Sequence, residues 1–219
     1  MDKPSDPACE AKKRGRPPRG TEETRRQEML AAAESLFLEQ GFGAVSMEAV
    51  AKKAGISKKT IYAFVPTKEA LFEEVMKAHI DSSDRPVLQA TVSDLAGMET
   101  ALAEYLNRLA QFILVPFAVS LFRLTIAEVD RFPEIARAFY RQGALRSIHQ
   151  LEDWLRLQVE KGLVDLENPY EAAMFLNSMV ILEPLRAAAL GVQPLPMADA
   201  METRAKMVAR IFLRGCGRK

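Results

Sequence analysis

The feature that most constrains this fold is a short glycine corner between two helical stretches, in the sequence AKKAGISKKTIYAFVPTK at residues 51–68. An apolar helix ends at Ala54, Gly55 can take the positive φ of a tight turn, and Ser57 can cap a new helix. Because the connection is so short, the two helices must meet at a sharp corner. The stretch therefore predicts the turn and second helix of a helix-turn-helix.

The two faces of this predicted helix pair differ in chemistry. Small Ala51, the turn residue Gly55 and the inward-facing Ile61 fit two helices that cross closely. The outward face carries short hydroxyl donors, two cations and a phenol, on Ser57, Lys58, Lys59, Thr60 and Tyr62. Phosphate oxygens and base edges bind such groups, so the outward face is a candidate nucleic-acid-binding surface.

Composition limits how such a surface could be built. The chain has 219 residues, 48% of them hydrophobic and 27% charged, which is typical of a globular protein with one large domain or a small and a larger one. The net charge is +1, so the whole molecule is not a polycation and any DNA site must be a local patch. We find no convincing alternating strand pattern, and the predicted fold class is all-α.

Cysteine usage and hydropathy indicate a cytoplasmic protein. Cys9 and Cys216 offer neither a disulfide framework nor a metal-binding spacing, and we expect no metal and no cofactor. The longest apolar run, at residues 112–122, is interrupted by Pro116 and is shorter than the ~18 residues of a membrane span. The N-terminus has charges and prolines where a signal peptide needs an apolar stretch, so we expect no membrane partner.

Residues 1–20 form a basic arm that we expect to be disordered in isolation, because they are rich in proline and glycine and poor in large apolar side chains. Within them the sequence Arg14-Gly15-Arg16-Pro17 resembles an AT-hook. A narrow A·T-rich minor groove attracts arginine, so Arg14 and Arg16 are candidate DNA contacts. The alternative is a solvated basic tail without base preference.

Residues 21–81 predict four helices around a small core. The first begins at Thr21 or Glu22 and ends at Gly41, and Ser46 caps the second. The third is the outward-facing helix after Ser57, and a fourth starts within residues 66–69 and covers the other three.

These residues resemble the DNA-binding domain of the tetracycline-repressor (TetR) family of bacterial transcriptional regulators. The resemblance covers about residues 21–80 and lies in the segments EQGF, GISK, TIY and PTKEALF, with the motif at about 45–64. By position it implies phosphate contacts and major-groove contacts, the former from Ser46, Thr60, Tyr62 and Lys68 and the latter from Ser57, Lys58 and Lys59. Phe64 departs from the family pattern, which usually has tyrosine or histidine there, and Val65 replaces a usual phenylalanine.

Residues 82–219 predict a larger helical domain for ligand binding and dimerisation. Apolar positions from Ile135 to Val159 predict one long amphipathic helix, and Asn168 followed by Pro169 predicts another helix start. Residues 123–140 more loosely resemble the ligand-binding half of a TetR subgroup. The family resemblance implies a homodimer formed by the helices in 168–215, although the same apolar stripes could simply close the monomer core.

The size of this second domain favours a small-molecule effector. It contains more aromatic and methionine side chains than dimerisation alone needs, so we expect an apolar or aromatic ligand. The candidate ligand-binding residues are Phe112, Phe117, Phe122, Trp154 and Phe175, although each could be plain core.

Two classes of protein other than a regulator are an enzyme and an architectural DNA-binding protein. An enzyme is disfavoured because the two histidines, His79 and His149, are far apart in sequence and no catalytic motif is present. An architectural DNA-binding protein without a ligand remains the alternative. The family resemblance implies a ligand-responsive repressor that binds double-stranded DNA as a homodimer on a near-palindromic operator.

Overall fold

A computed structural model describes residues 21–81, 86–88 and 91–216. This part of the chain contains ten α-helices and no β-strand, which confirms the predicted all-α class. The helices are α1 (Glu22–Gln40), α2 (Met47–Lys53), α3 (Lys58–Phe64), α4 (Lys68–Ile80), α5 (Leu95–Ile113), α6 (Pro116–Glu128), α7 (Pro133–Gln142), α8 (Ala144–Glu160), α9 (Pro169–Ala189) and α10 (Ala198–Cys216). The predicted basic arm with Arg14 and Arg16 lies outside the described residues.

The starts of the first four helices follow from hydroxyl side chains that cap them. The side-chain oxygens of Thr21, Ser46, Ser57 and Thr67 each accept a hydrogen bond from the backbone N–H three residues further on. Such caps satisfy donors that a helix leaves without partners at its N-terminus. Gly41 ends α1 with a φ of 83°, as the sequence predicted.

The N-terminal helices pack around a cluster of aromatic rings. Phe37, Phe42 and Phe72 lie with ring centroids 5.4 to 5.7 Å apart, and Ile61 and Val65 are buried beside them. This N-terminal core also includes three residues of α6 and α7, namely Leu121, Leu124 and Ile135. The core under the helix-turn-helix therefore extends beyond residue 81.

A second, larger core joins α5, α8, α9 and α10. Helix α10 lies along α5, and α9 packs against α8, so that Leu106, Leu151 and Leu176 are fully buried between them. Helices α6 and α7 lie between the two cores, and α7 packs on α4. The C-terminal helices thus form a bundle that packs against the N-terminal unit through α6 and α7.

The predicted single helix across residues 135–159 is wrong, because the structure divides it at Gly143. There φ is −89° and ψ is −88°, outside the helical region, and α8 begins at the next residue. The apolar repeat continues across the corner, which explains why periodicity did not reveal it. A Cβ at Gly143 would lie 2.9 Å from the carbonyl oxygen of Phe139, so only glycine fits without a shift.

Helix α9 is the most apolar long helix. The Asn168 side chain accepts hydrogen bonds from the N–H groups of Tyr170 and Glu171 at 3.1 and 3.3 Å, which confirms the predicted start. By length and composition alone α9 could cross a membrane, as could α5 and α6 together if their 68° bend were ignored. Half of the apolar window of α9 is buried inside the protein, and one such helix is weak evidence for a membrane span.

We predict that Gly143→Ala destabilises the protein by about 1 to 3 kcal/mol, because the added methyl group overlaps the Phe139 carbonyl at the α7–α8 corner. Gly215→Ala is the matched control, since a Cβ there meets nothing within 4 Å and lies in a helix. It should leave stability unchanged or raise it by up to about 1 kcal/mol. Urea unfolding followed by circular dichroism measures both, and equal stabilities would contradict this account of the corner.

Candidate functional site

The corner between α2 and α3 is held by backbone hydrogen bonds around a glycine. Gly55 has a φ of 65°, and its N–H donates to the Lys52 carbonyl at 3.2 Å. The Ile56 N–H donates to the Ala51 carbonyl at 3.0 Å. Ile56 and Ile61 are buried on either side of this corner, so the opposite face of α3 is directed away from the core.

The predicted DNA-contacting groups are accessible on that opposite face. Ser46, Ser57, Lys58, Lys59 and Tyr62 are exposed, and Thr60 is half-buried with its hydroxyl 2.7 Å from the Ser57 hydroxyl. Tyr62 retains 43% of its possible exposure, although it is a large aromatic residue. The surface therefore offers hydroxyl donors, a phenol and cations at the N-terminal end of α3.

One acidic residue lies on this surface that sequence reasoning did not single out. Glu48 of α2 accepts a hydrogen bond from the Lys58 ammonium at 2.5 Å, and Lys58 also lies 5.9 Å from the centre of the Tyr62 ring. The hydrogen bond from Lys58 lowers the pKa of Glu48, and Glu48 in turn raises the pKa of Lys58. In the absence of DNA the positive charge of Lys58 is therefore partly offset by the Glu48 carboxylate, whereas Lys59 is exposed to solvent.

Lys68 is directed into the protein. Its ammonium donates to the carbonyl oxygens of Phe42, Gly43 and Val45 at 2.8, 3.4 and 3.0 Å. It also lies 4.4 Å from the centre of the Phe42 ring and 5.4 Å from that of Phe132. The three ammonium hydrogens thus have acceptors inside the protein, in place of the phosphate contact that the family resemblance implies.

A cavity of about 130 Å³ lies beside the far end of α4. Helices α4 to α9 all contribute to its wall, which is mainly apolar and includes the rings of Phe112, Phe117 and Phe139. Four polar residues, His79, Gln142, Ser147 and Asn177, also line it. The arrangement is that of a small-molecule site with an apolar wall and a few polar groups.

Only two of the five predicted ligand-binding aromatics line this cavity, Phe112 and Phe117. Trp154 is buried in the C-terminal core, Phe122 packs against Phe139 with ring centroids 6.0 Å apart, and Phe175 is 58% exposed on α9. The sequence located aromatic residues on helices but could not show which helix faces enclose a space. The polar lining residues were missed because single polar positions on amphipathic helices give no distinctive pattern.

The polar lining residues have defined partners. The Asn177 amide donates to the Ser147 hydroxyl at 2.8 Å, and that hydroxyl donates to the Ala144 carbonyl at 2.9 Å. The His79 ring lies 4.0 Å from the Phe117 ring, and its burial lowers the pKa of the imidazole. Among the described residues no group of three or more histidine, cysteine or acidic side chains could hold a metal ion.

The late helices expose large apolar side chains over about half of their surface. Phe175 and Leu182 on α9 and Met207 and Ile211 on α10 are between 51% and 58% exposed. The first pair is spaced seven residues apart and the second pair four, so each pair lies on one face of its helix. These faces lie in the region 168–215 that the sequence assigned to dimerisation.

Comparison with known proteins agrees with this architecture at both ends of the chain. Residues 29–75 match the family described as bacterial regulatory proteins, tetR family. Residues 100–217, more than half of the chain, match the C-terminal domain of AefR-like transcriptional repressors. Both parts of the predicted family resemblance are therefore confirmed.

Individual proteins show the same relationship over nearly the whole chain. The solved structure of the flavonoid-responsive regulator FrrA is 33% identical with a TM-score of 0.75, over 90% of this chain and 99% of that chain. A TetR transcriptional regulator from Agrobacterium tumefaciens, 19% identical over 89% of this chain and 95% of that chain, shares the fold with a TM-score of 0.72. YvkB of Bacillus subtilis (strain 168), an uncharacterised HTH-type transcriptional regulator, is 27% identical over 158 residues, 69% of this chain and 77% of its own.

The helix-turn-helix, the helical bundle behind it and both family matches agree. Regulators of this family bind DNA and are not enzymes, which is the class that the sequence favoured. The chain belongs to the TetR family of bacterial transcriptional regulators.

Proposed function

We propose that this protein is a ligand-responsive repressor that acts in the cytoplasm as a homodimer on a near-palindromic operator. The observation that carries the proposal is the position of α4, which starts beside the helix-turn-helix and ends in the wall of the cavity. Phe72 of α4 is buried in the N-terminal core, and Met76, His79 and Ile80 line the cavity. A ligand in the cavity therefore touches the same helix that supports the DNA-binding surface.

The exposed face of α3 is the proposed major-groove surface. Ser57, Lys58 and Lys59 would reach base edges, while Ser46, Thr60 and Tyr62 would hold the phosphates on either side. Lys59 is the best placed cation for bases, because Lys58 must first exchange its Glu48 partner for DNA. Arg14 and Arg16 of the basic arm would add contacts in an adjacent minor groove.

The exposed apolar faces of α9 and α10 are the proposed dimer contact. Joining these faces from two protomers would remove the four large side chains from water and give a four-helix bundle. Two protomers related by a twofold axis would then present their α3 helices to successive major grooves roughly 34 Å apart.

The cavity favours a neutral, aromatic effector. Its volume of about 130 Å³ is close to the ~150 Å³ of an apolar protein cavity that binds benzene. A ligand with more than one ring must therefore displace a wall residue, and the His79–Phe117 ring contact joins α4 to α6 within that wall. The similarity to the flavonoid-responsive FrrA makes polyphenols the first class to test, with Asn177 and Ser147 as hydrogen-bonding partners.

Such a ligand would act by favouring one of two conformations. Binding energy gained only when α4 is displaced shifts the protein towards that state, and the two α3 helices then no longer match the operator. Ligand-independent DNA binding is the alternative, and it predicts that no compound releases the DNA.

The DNA surface is tested with Lys59→Ala. We predict that it weakens binding to an operator, selected from random DNA by the wild-type protein, by about 1 to 3 kcal/mol and alters the preferred bases. Lys206→Ala removes another exposed lysine, from α10, and should bind like the wild type. Fluorescence anisotropy at fixed salt measures both, and unchanged affinity and base preference for Lys59→Ala would sink the proposed surface.

The effector site is tested with Phe112→Leu, which shortens a cavity-wall ring. Using the flavonoid naringenin, we predict that it weakens calorimetrically measured binding by about 0.5 to 1.5 kcal/mol. Phe122→Leu makes the same change outside the cavity wall and should bind like the wild type. Equal losses in both variants would point to a site elsewhere, and failure of aromatic compounds to bind the wild type would remove the proposed ligand class.

Burial of His79 predicts a pH dependence of stability. Because the folded state lowers the imidazole pKa, protonation favours unfolding, and stability should fall as pH drops below the ordinary pKa of about 6.5. His79→Gln should lose this part of the decline, whereas His149→Gln changes the exposed second histidine and should keep it. Melting temperatures between pH 7.5 and 5 measure the difference, and parallel curves for wild type and His79→Gln would contradict it.

A further inference from the structure

We infer that a latch formed by Lys68, Glu128 and Phe132 around the loop at residues 41–43 fixes the orientation of the helix-turn-helix. The inference rests on the proposed DNA binding and adds a second path, through α6, between the cavity and the DNA-binding helices. The three latch residues are positioning residues, since they contact the loop and belong to neither the proposed DNA contacts nor the cavity lining.

The centre of the latch is a single peptide group held at both ends by opposite charges. The carbonyl oxygen of Phe42 accepts a hydrogen bond from the Lys68 ammonium at 2.8 Å. The N–H of the same peptide group, which belongs to Gly43, donates to a carboxylate oxygen of Glu128 at 3.0 Å. Each charge strengthens the bond made by the other through the peptide dipole, so the three groups hold one another in place.

Two glycines allow this close approach. A Cβ at Gly41 would lie 3.0 Å from the Glu128 carboxylate, and a Cβ at Gly43 would lie 3.1 Å from the Phe132 ring. Both distances are shorter than ordinary van der Waals contact, so a larger residue would require the Glu128 carboxylate or the Phe132 ring to move by a few tenths of an ångström. The loop therefore fits this α6–α7 corner closely and is not simply a flexible connection between α1 and α2.

Aromatic contacts complete the latch. The Phe42 and Phe132 rings pack edge to face with centroids 5.0 Å apart, and the Lys68 ammonium lies near both ring faces. Cation–π attraction and ring packing add to the hydrogen bonds at a half-buried position. Since Lys68 is the first residue of α4, the latch joins the start of α4, the loop before α2 and the end of α6 at one point.

Helix α6 connects this point to the cavity. Phe117 and Leu121 near its start line the cavity, and Glu128 is its last residue. Arg123 anchors its middle by donating to the carbonyls of Ala188 and Ala189, each at 2.6 Å. A helix of 13 residues is about 20 Å long and moves as a unit, so displacing Phe117 about that anchor shifts Glu128 at the other end.

A closed latch should make a dimer selective for the distance between its two operator half-sites. If the helix-turn-helix unit is fixed on α6, only one spacing places both α3 helices in their grooves. A loosened unit can turn to reach half-sites that are closer or further apart. The tolerance of half-site spacing therefore distinguishes a latch that positions the helix-turn-helix from residues that only stabilise the fold.

The experiment uses the full-length dimer and an operator selected from random DNA by the wild-type protein, with one base pair then inserted or deleted at its centre. We expect the wild type to lose affinity by about tenfold or more on the altered spacings. For Glu128→Ala we expect a fold-loss that is at most about a third of the wild-type fold-loss. Asp130→Ala removes an exposed acid two residues away and should retain the wild-type selectivity.

The outcomes separate the two proposals. If the wild type selects no DNA sequence, the proposed function fails; if it does and Glu128→Ala shows the wild-type loss on altered spacings, the latch is refuted. Should Glu128→Ala fail to fold, Glu128→Gln decides, because it keeps an oxygen acceptor for Gly43 and removes the charge. The latch is supported if Glu128→Ala loses less affinity on the altered spacings than the wild type and Asp130→Ala do. It is overturned if all three proteins lose the same affinity.

Discussion

The structure depends on a helix that belongs to two packed regions at once. Helix α4 buries Phe72 among the rings of the N-terminal core and ends with His79 beside Phe117 in the cavity wall. A packed helix cannot bend smoothly between two close-packed regions, so a change at one end is passed to the other. Packing of α4 is therefore the physical basis of the coupling that the proposed function requires.

The lysines at the starts of α3 and α4 differ in how their ammonium groups are held. Glu48 holds Lys58 on the free protein, and phosphates can replace this exposed pair at small cost because such surface pairs contribute little to stability. The Lys68 ammonium behaves differently, since its half-buried position and three carbonyl partners keep it within the protein. Lys58 therefore lies in an exposed ion pair, whereas Lys68, ten residues later, is bonded within the protein.

Local chemistry allowed much of the fold to be predicted from the sequence. The caps at Ser46, Ser57 and Asn168 and the positive φ of Gly55 depend on neighbouring residues alone, and all four were correct. Features that depend on distant parts of the chain were not predictable in this way. Trp154 and Phe175 were assigned to a ligand site although one is core and the other is exposed, because helical periodicity shows an apolar face but not its partner.

Phe64 shows how packing against distant parts of the chain also affects the candidate DNA-binding surface. A polar ring was expected at this position from the family pattern, and the structure instead packs a half-buried phenylalanine against the N-terminal core. The ring packs at the end of α3, where the family pattern implies a hydroxyl or imidazole that binds phosphate. With Lys68 also held inside, the proposed DNA surface relies mainly on hydroxyl groups for phosphates and on the exposed Lys59 for electrostatic attraction to DNA.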